Sequence, residues 1–194
     1  ICSMKKISFL LLTSSLLAGA CNSGVKDPVE VADSVNEARI DSPAVQSPVT
    51  ANEETADFLV KAANGGMAEM KLGEIAREKA VNPKVKEFGA MMVRDHSAVT
   101  DQIKTLASQR NVTLPAAVSE ESQKDINDCA KKSGSDFDKA YISAMVKKHE
   151  STIDMYEKAV NKLNDGDVEA FITNTLPKVR EHLNSAKAIK DLLK

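Results

Sequence analysis

"MMVRDHSAVTDQI", residues 91–103, is the stretch that decides the fold. If it is helical, four of its residues fall on one stripe at i, i+4, i+7 and i+11, the spacing of a helix face that packs on a core. These residues are Met92, His96, Val99 and Ile103. An imidazole therefore lies in the middle of an apolar stripe, and the reason for its position there is the most direct route from this sequence to a function.

The composition favours a single all-α domain. The chain has 194 residues, 42% of them hydrophobic, and only 4% are aromatic with no Trp, which is typical of helices rather than of β-sandwich strands. Lys and Arg number 26 against 28 Asp and Glu, and the basic residues form no stripe. This balance excludes nucleic acid as a partner.

The N-terminus has the pattern of a bacterial lipoprotein. A basic pair at residues 5–6 precedes an apolar run at 7–17, which is too short to span a bilayer. The letters "LLAGAC" then end at Cys21 and are similar to a lipobox. We therefore expect a signal peptide at residues 1–20, a lipid anchor on Cys21 that holds the protein to a membrane, and a place in the bacterial cell envelope, at the outer membrane. The alternative is an ordinary secretory signal that leaves Cys21 as a free thiol.

The segment from Cys21 to residue 52 contains three prolines among Ser, Asp and Glu, with no sustained period. This predicts a flexible, lipidated tether at residues 21–52 and a folded domain at 53–194. With Cys21 lipidated, Cys129 is the only thiol left in the mature chain, and we expect it to be a small buried hydrophobe.

Four long amphipathic segments fill the folded part. Thr50 and Glu53 form a capping box that opens the first helix, which runs to about residue 81. Asn82 followed by Pro83 predicts the cap and first position of the second helix, which runs to about residue 110. The turn between these two helices is so short that they must form an antiparallel hairpin.

The second half repeats this arrangement after a long connector that holds a short helix at 119–132. The third long helix ends at Gly166, Asp167 caps the fourth, and these two form a second hairpin. Pro177 predicts either a kink in the fourth helix or a helix restart with Asn174 or Thr175 as the cap. The expected fold is a four-helix bundle of two antiparallel hairpins.

Each long helix places one polar residue on its inward stripe. These residues are Glu69, His96, His149 and His182. Glu69 and His96 are 13 residues before and 14 after Asn82, and the other two are 17 before and 16 after Gly166. Each pair is therefore level within its hairpin, near the middle of the helices, which predicts a single layer for all four.

Three segments carry a resemblance to a known family: "GGMAEMKLGEIAREKAVNPKVKEFGAMMVRDH", "GSDFDKAYISAMVKKHE" and "LPKVREHL". They resemble the bacterial envelope family catalogued as domain of unknown function 4142, over residues from about 55 to 193. The resemblance implies a ferritin-like helical bundle with Glu69, His96, His149 and His182 as polar core positions. It implies no activity.

Residues i−3 from the histidines separate this chain from di-iron proteins. Those proteins use Glu-x-x-His motifs, whereas this chain has Val93, Val146 and Val179 at the i−3 positions. A single divalent transition-metal ion suits three imidazoles and a carboxylate, and copper(I) would be favoured if nearby methionines join.

The alternative is a structural or interaction protein whose polar layer only sets the helix packing. We expect Asp95, Glu150 and Glu181, each next to a histidine, to be solvated. The sequence offers no catalytic residues and no positive support for an enzyme. A third possibility is a pH response from the buried histidines.

Overall fold

The computed structural model describes residues 26–42 and 51–194, and this part of the chain is all α-helical, as predicted. Its helices are α1 (Pro28–Ile40), α2 (Glu53–Lys79), α3 (Pro83–Gln109), α4 (Glu120–Ala130), α5 (Gly134–Val160) and α6 (Gly166–Leu192). None of these helices is long and apolar enough to cross a bilayer. The expected signal peptide, the lipidated Cys21 and the proposed cap residue Thr50 lie outside the described residues.

α2 and α3 form the first hairpin, and its turn is the one that the sequence predicted. The Asn82 side chain caps α3 by accepting a hydrogen bond from the backbone N–H of Lys84 at 2.9 Å, and Pro83 is the first helical residue. At the start of α2 the prediction of Thr50 as the cap is wrong. Asn52 takes that place and accepts from the backbone N–H of Thr55 at 2.8 Å.

The two helices of this hairpin approach closely because glycines face each other. A Cβ added to Gly73 would lie 2.8 Å from the carbonyl oxygen of Gly89, and a Cβ added to Gly89 would lie 2.8 Å from that of Gly73. Real Cβ atoms almost never come so near to a neighbouring oxygen. These two glycines therefore set the spacing of the hairpin.

The connector takes the chain along the whole length of the bundle. At its start, the backbone N–H of Ser119 donates to Asn64 in the first half of α2, and at its end the Lys79 amino group contacts the carbonyl of Ala130. α5 then begins beside the α2–α3 turn, where the buried carboxylate of Asp138 accepts two hydrogen bonds from backbone N–H groups of that turn. α5 therefore runs antiparallel to α2.

α5 and α6 form the second hairpin, with ends that differ from the prediction. α5 stops at Val160 rather than at Gly166, and Asp165 caps α6 in place of Asp167. The physical reason is tertiary, because the Asp165 carboxylate also binds the guanidinium of Arg110 at the end of α3. The contact with Arg110 therefore favours Asp165 over the other residues of this turn as the cap.

The four long helices pack as a ring in which α2 contacts α3 and α5, and α6 contacts α5 and α3. α6 runs through Pro177 without interruption, so the restart interpretation is wrong. Buried Cys129 lies in the core, as its apolar character predicted.

α1 corrects the prediction of an extended tether at 21–52. Asp27 caps this helix, and its second carboxylate oxygen accepts from the backbone N–H of Glu120. Asn36 then pairs with the backbone of Thr113 through two hydrogen bonds of 2.7 and 3.0 Å. These contacts join residues more than 70 positions apart, so no local period announces them. The folded part of the chain therefore includes Pro28–Ile40.

We predict that Gly73→Ala destabilises the protein although alanine is the better helix former. The added methyl group would meet the Gly89 carbonyl oxygen at 2.8 Å, and overpacking of this kind costs about 1–3 kcal/mol. Urea titration would measure the change in free energy of unfolding. The matched control is Gly65→Ala on the same helix, where an added Cβ meets nothing within 4 Å and a gain of about 0.5–1 kcal/mol is expected. Equal stability of the two variants would contradict this account.

Candidate metal centre

The four residues predicted to share a layer do meet in the interior. Glu69 of α2 is 2% exposed, His96 of α3 6%, His149 of α5 0% and His182 of α6 3%. The centroids of the three imidazole rings are separated by 5.5, 5.6 and 5.7 Å, which makes an almost equilateral triangle. The depth counted from the two helix turns was therefore correct.

His149 is held by its own helix. Its Nδ1 lies 2.9 Å from the backbone carbonyl oxygen of Met145, one turn earlier. A carbonyl oxygen only accepts, so Nδ1 must carry the proton. In the neutral ring Nε2 then keeps its lone pair.

His182 is held from the side by Asp95, and the prediction that Asp95 is solvated is wrong. His182 Nε2 lies 2.9 Å from Oδ2 of Asp95, whose side chain is only 18% exposed. The rotation of about 100° that takes Asp95 off the His96 stripe turns it toward α6, which packs against α3. The other two carboxylates, Glu150 and Glu181, are exposed as expected.

Glu69 faces the remaining pair. Its Oε2 lies 3.3 Å from Nδ1 of His96, and its Oε1 lies 3.4 Å from Nδ1 of His149. A carboxylate in that place favours the proton on Nδ1 of His96, which leaves Nε2 of that ring with its lone pair. Glu69 therefore lies behind two of the imidazoles rather than beside their free nitrogens.

The other nitrogen of each ring has no hydrogen-bond partner among the described residues, although each is fully buried. These atoms are Nε2 of His96, Nε2 of His149 and Nδ1 of His182. The three rings each offer a nitrogen, and these lie within 4.8 Å of one another. These three nitrogens lower the stability of the folded protein, because each buried polar group left unsatisfied costs about 1–3 kcal/mol.

Burial also keeps the imidazoles of His96 and His182 neutral. It lowers the pKa of His182 to about 4, although the hydrogen bond to Asp95 acts in the opposite direction. Burial likewise lowers the pKa of His96, against the influence of Glu69. Burial alone would raise the pKa of Asp95, but hydrogen bonds from Arg94 and His182 outweigh it, and the net pKa is lowered. Near neutral pH, His96 and His182 therefore carry free lone pairs, the form that metals bind.

A family model described as "Domain of unknown function (DUF4142)" matches residues 41–189, which covers every residue of this layer. The chain belongs to the DUF4142 family. Comparison with proteins of curated function gives no significant match.

One solved structure similar to this DUF4142 protein is the crystal structure of a DUF305 fragment from Deinococcus radiodurans. The TM-score is 0.66, with 10% sequence identity over 73% of this chain and 98% of that one. At that identity the likeness concerns the helical fold alone. Both families are domains of unknown function, so the chemistry must be argued from the residues of the layer.

We predict that the metal-free protein loses stability on acidification from about pH 6.5 to pH 4. The pKa of His182 is lowered to about 4 from an ordinary 6.5, so in this window the unfolded chain binds a proton that the folded chain rejects. The free energy of unfolding therefore decreases as the pH is lowered. Urea titration of chelator-treated protein would measure this decrease. His182→Gln removes the titrating group and should give a shallower slope. The same slope in both proteins would contradict the prediction.

Proposed function

We propose that this DUF4142 protein is a cell-envelope lipoprotein whose helical bundle, of the ferritin-like type, binds one transition-metal ion through His96, His149 and His182. The observation that carries the proposal is a set of three buried imidazoles: each has one ring nitrogen without a hydrogen-bond partner among the described residues, and each offers a nitrogen within 4.8 Å of those of the other two. A metal ion satisfies three such lone pairs at once. Metal handling or protection against metal stress in the envelope is the role that we infer.

The outer contacts of the rings support the same proposal. Metal-binding histidines almost always donate their second N–H to a carboxylate or a backbone carbonyl, which fixes the tautomer and the ring orientation. Here the Met145 carbonyl and the Asp95 carboxylate take that part for His149 and His182, and the Glu69 carboxyl group lies 3.3 Å from Nδ1 of His96. We assign Glu69 to this outer role, although the sequence alone suggested it as a fourth ligand.

The ring nitrogens of the three histidines must move closer together to bind one ion. Zinc holds imidazole nitrogens at about 2.0–2.1 Å, which places the ligand atoms of a tetrahedral site about 3.3 Å apart. Each ring offers one nitrogen within 4.8 Å of those of the other two, so binding an ion in that geometry requires them to close by up to about 1.5 Å. An all-imidazole set suits zinc, copper, iron or nickel. A carboxylate-bridged di-iron centre is disfavoured because Val93, Val146 and Val179 occupy the bridging positions.

The alternative is a polar layer that only fixes the packing of the helices. The position of Glu69 beside His96 and His149 favours it, because a carboxyl group near two imidazoles can satisfy buried polar groups without an ion, but Oε1 of Glu69 has no hydrogen-bond partner among the described residues. Such a layer gives no partner to the three buried ring nitrogens, however, and we therefore prefer the metal site.

We predict that untagged protein binds one divalent ion per chain. An ion present at 100 times its dissociation constant should stabilise the fold by about 2.7 kcal/mol. Elemental analysis after dialysis and thermal unfolding with and without chelator would measure both effects. His149→Gln should reduce the bound ion to background, while Asp101→Ala, which removes an exposed carboxylate on α3, should retain it. Absence of bound ion together with chelator-independent unfolding would favour the structural layer instead.

The lipoprotein part of the proposal rests on the sequence that ends at Cys21. Lipid on this cysteine would hold the bundle at the membrane, and no charge pattern in the chain points to nucleic acid as a second partner.

We predict that Cys21→Ser abolishes incorporation of labelled fatty acid in a bacterial host and moves the protein from the membrane fraction to the soluble one. The matched control is Cys129→Ser, since that thiol is buried in the core and should take no lipid. Label that persists in Cys21→Ser would contradict the anchor.

A further inference from the structure

A cavity of about 530 Å³ reaches the histidine layer from the side of the bundle. Its inner wall includes His96, His182 and Glu69. Binding sites for small molecules usually measure about 300–1,000 Å³, so this space is of the size that holds a ligand and not only an ion.

The position of the cavity relative to the three rings is asymmetric. His96 and His182 line it, whereas His149 does not and is fully buried. An ion held by all three imidazoles would therefore have His149 on its closed side and the cavity on its open side. Zinc sites with three protein ligands keep their fourth position for an exogenous molecule.

The charges at the inner end favour an anion in that position. A divalent ion brings two positive charges, and the carboxyl group of Glu69 beside the layer can neutralise at most one of them. Asp95 also lines the cavity, but Arg94 pairs with it at 2.8 Å. One positive charge is left over at a buried place, and burial of an unpaired charge is unfavourable.

Apart from Glu69 and Asp95, the cavity is lined by charges of both signs, with five lysines and three carboxylates. α4 contributes the carboxylates of Glu121, Asp125 and Asp128, and lysines such as Lys147 and Lys148 lie opposite on α5. Lys148 pairs with Asp125 at 3.4 Å. The excess of lysines over carboxylates in this part of the cavity also favours an anion over a cation.

Gly65 lies beside free space in the cavity, near the layer. It lines the cavity one helical turn before Glu69, and a Cβ added there would have nothing within 4 Å. Glycine in the middle of a helix costs about 0.5–1 kcal/mol relative to alanine. Neither a turn nor a close helix contact requires it here, in contrast to Gly73.

We propose that the cavity is a binding compartment for a small monoanion, which enters past Gly65 and occupies the fourth coordination position of the ion at His96, His149 and His182. This inference rests on the proposed metal site and adds the class of ligand that the site takes.

The test uses cobalt(II) as the ion and azide as the anion. Cobalt(II) bound in a site of low coordination number gives visible absorption, which reports metal binding by itself. Addition of azide to the cobalt-loaded full-length protein should shift these bands in a saturable way. Gly65→Ala should behave like the original protein, whereas Gly65→Phe should retain the cobalt spectrum and lose at least tenfold in azide affinity, because its ring fills the cavity.

The outcomes separate the two proposals. A cobalt spectrum that azide leaves unchanged would overturn the anion compartment and leave the metal site standing. Azide affinity that is the same in Gly65→Phe and Gly65→Ala would overturn the placement of the ligand in this cavity. Failure to bind cobalt at all would overturn the metal site and the compartment together.

Discussion

Each imidazole of the central layer is fixed at one nitrogen and left open at the other, and this constraint underlies the rest of the account. In α5, the backbone carbonyl of Met145 lies beside His149. α3 supplies the Asp95 carboxylate beside His182, and α2 supplies the Glu69 carboxyl group beside His96. The opposite nitrogen of each ring is buried and has no hydrogen-bond partner among the described residues. Packing without an ion leaves that arrangement unsatisfied, whereas coordination of a cation satisfies it.

The helical scaffold brings this layer together by simple means. Gly73 and Gly89 let α2 and α3 approach until their backbones nearly touch, which places Glu69 beside His96. The connector follows α2 to the opposite end, so α5 starts there and carries His149 back to the same height. The polar residues lie near the middle of their helices. A prediction that misplaces a helix end by a few residues therefore still places them in one layer.

The sequence predicts correctly those features that depend on residues close together in the chain. The Asn82–Pro83 turn and the inward stripe through His96 depend on spacings within one segment, and both are confirmed. Asp95 was misjudged because its partner lies 87 residues away on α6, and helix periodicity says nothing of which neighbour a flanking residue meets. α1 was missed for the same reason, since its anchor at Thr113 is a long-range contact. The cavity that opens beside the layer likewise exists only when four helices and the connector are in place.

The orientation of the three rings is the central claim, and nitrogen-15 NMR of the histidine side chains tests it most directly. In metal-free protein near neutral pH, His96 and His149 should be protonated at Nδ1 and His182 at Nε2. Addition of one equivalent of zinc should then move the resonances of the opposite nitrogens alone: Nε2 of the first two and Nδ1 of the third. Imidazoles that exchange freely between tautomers, or zinc that leaves these three nitrogens unmoved, would contradict the account.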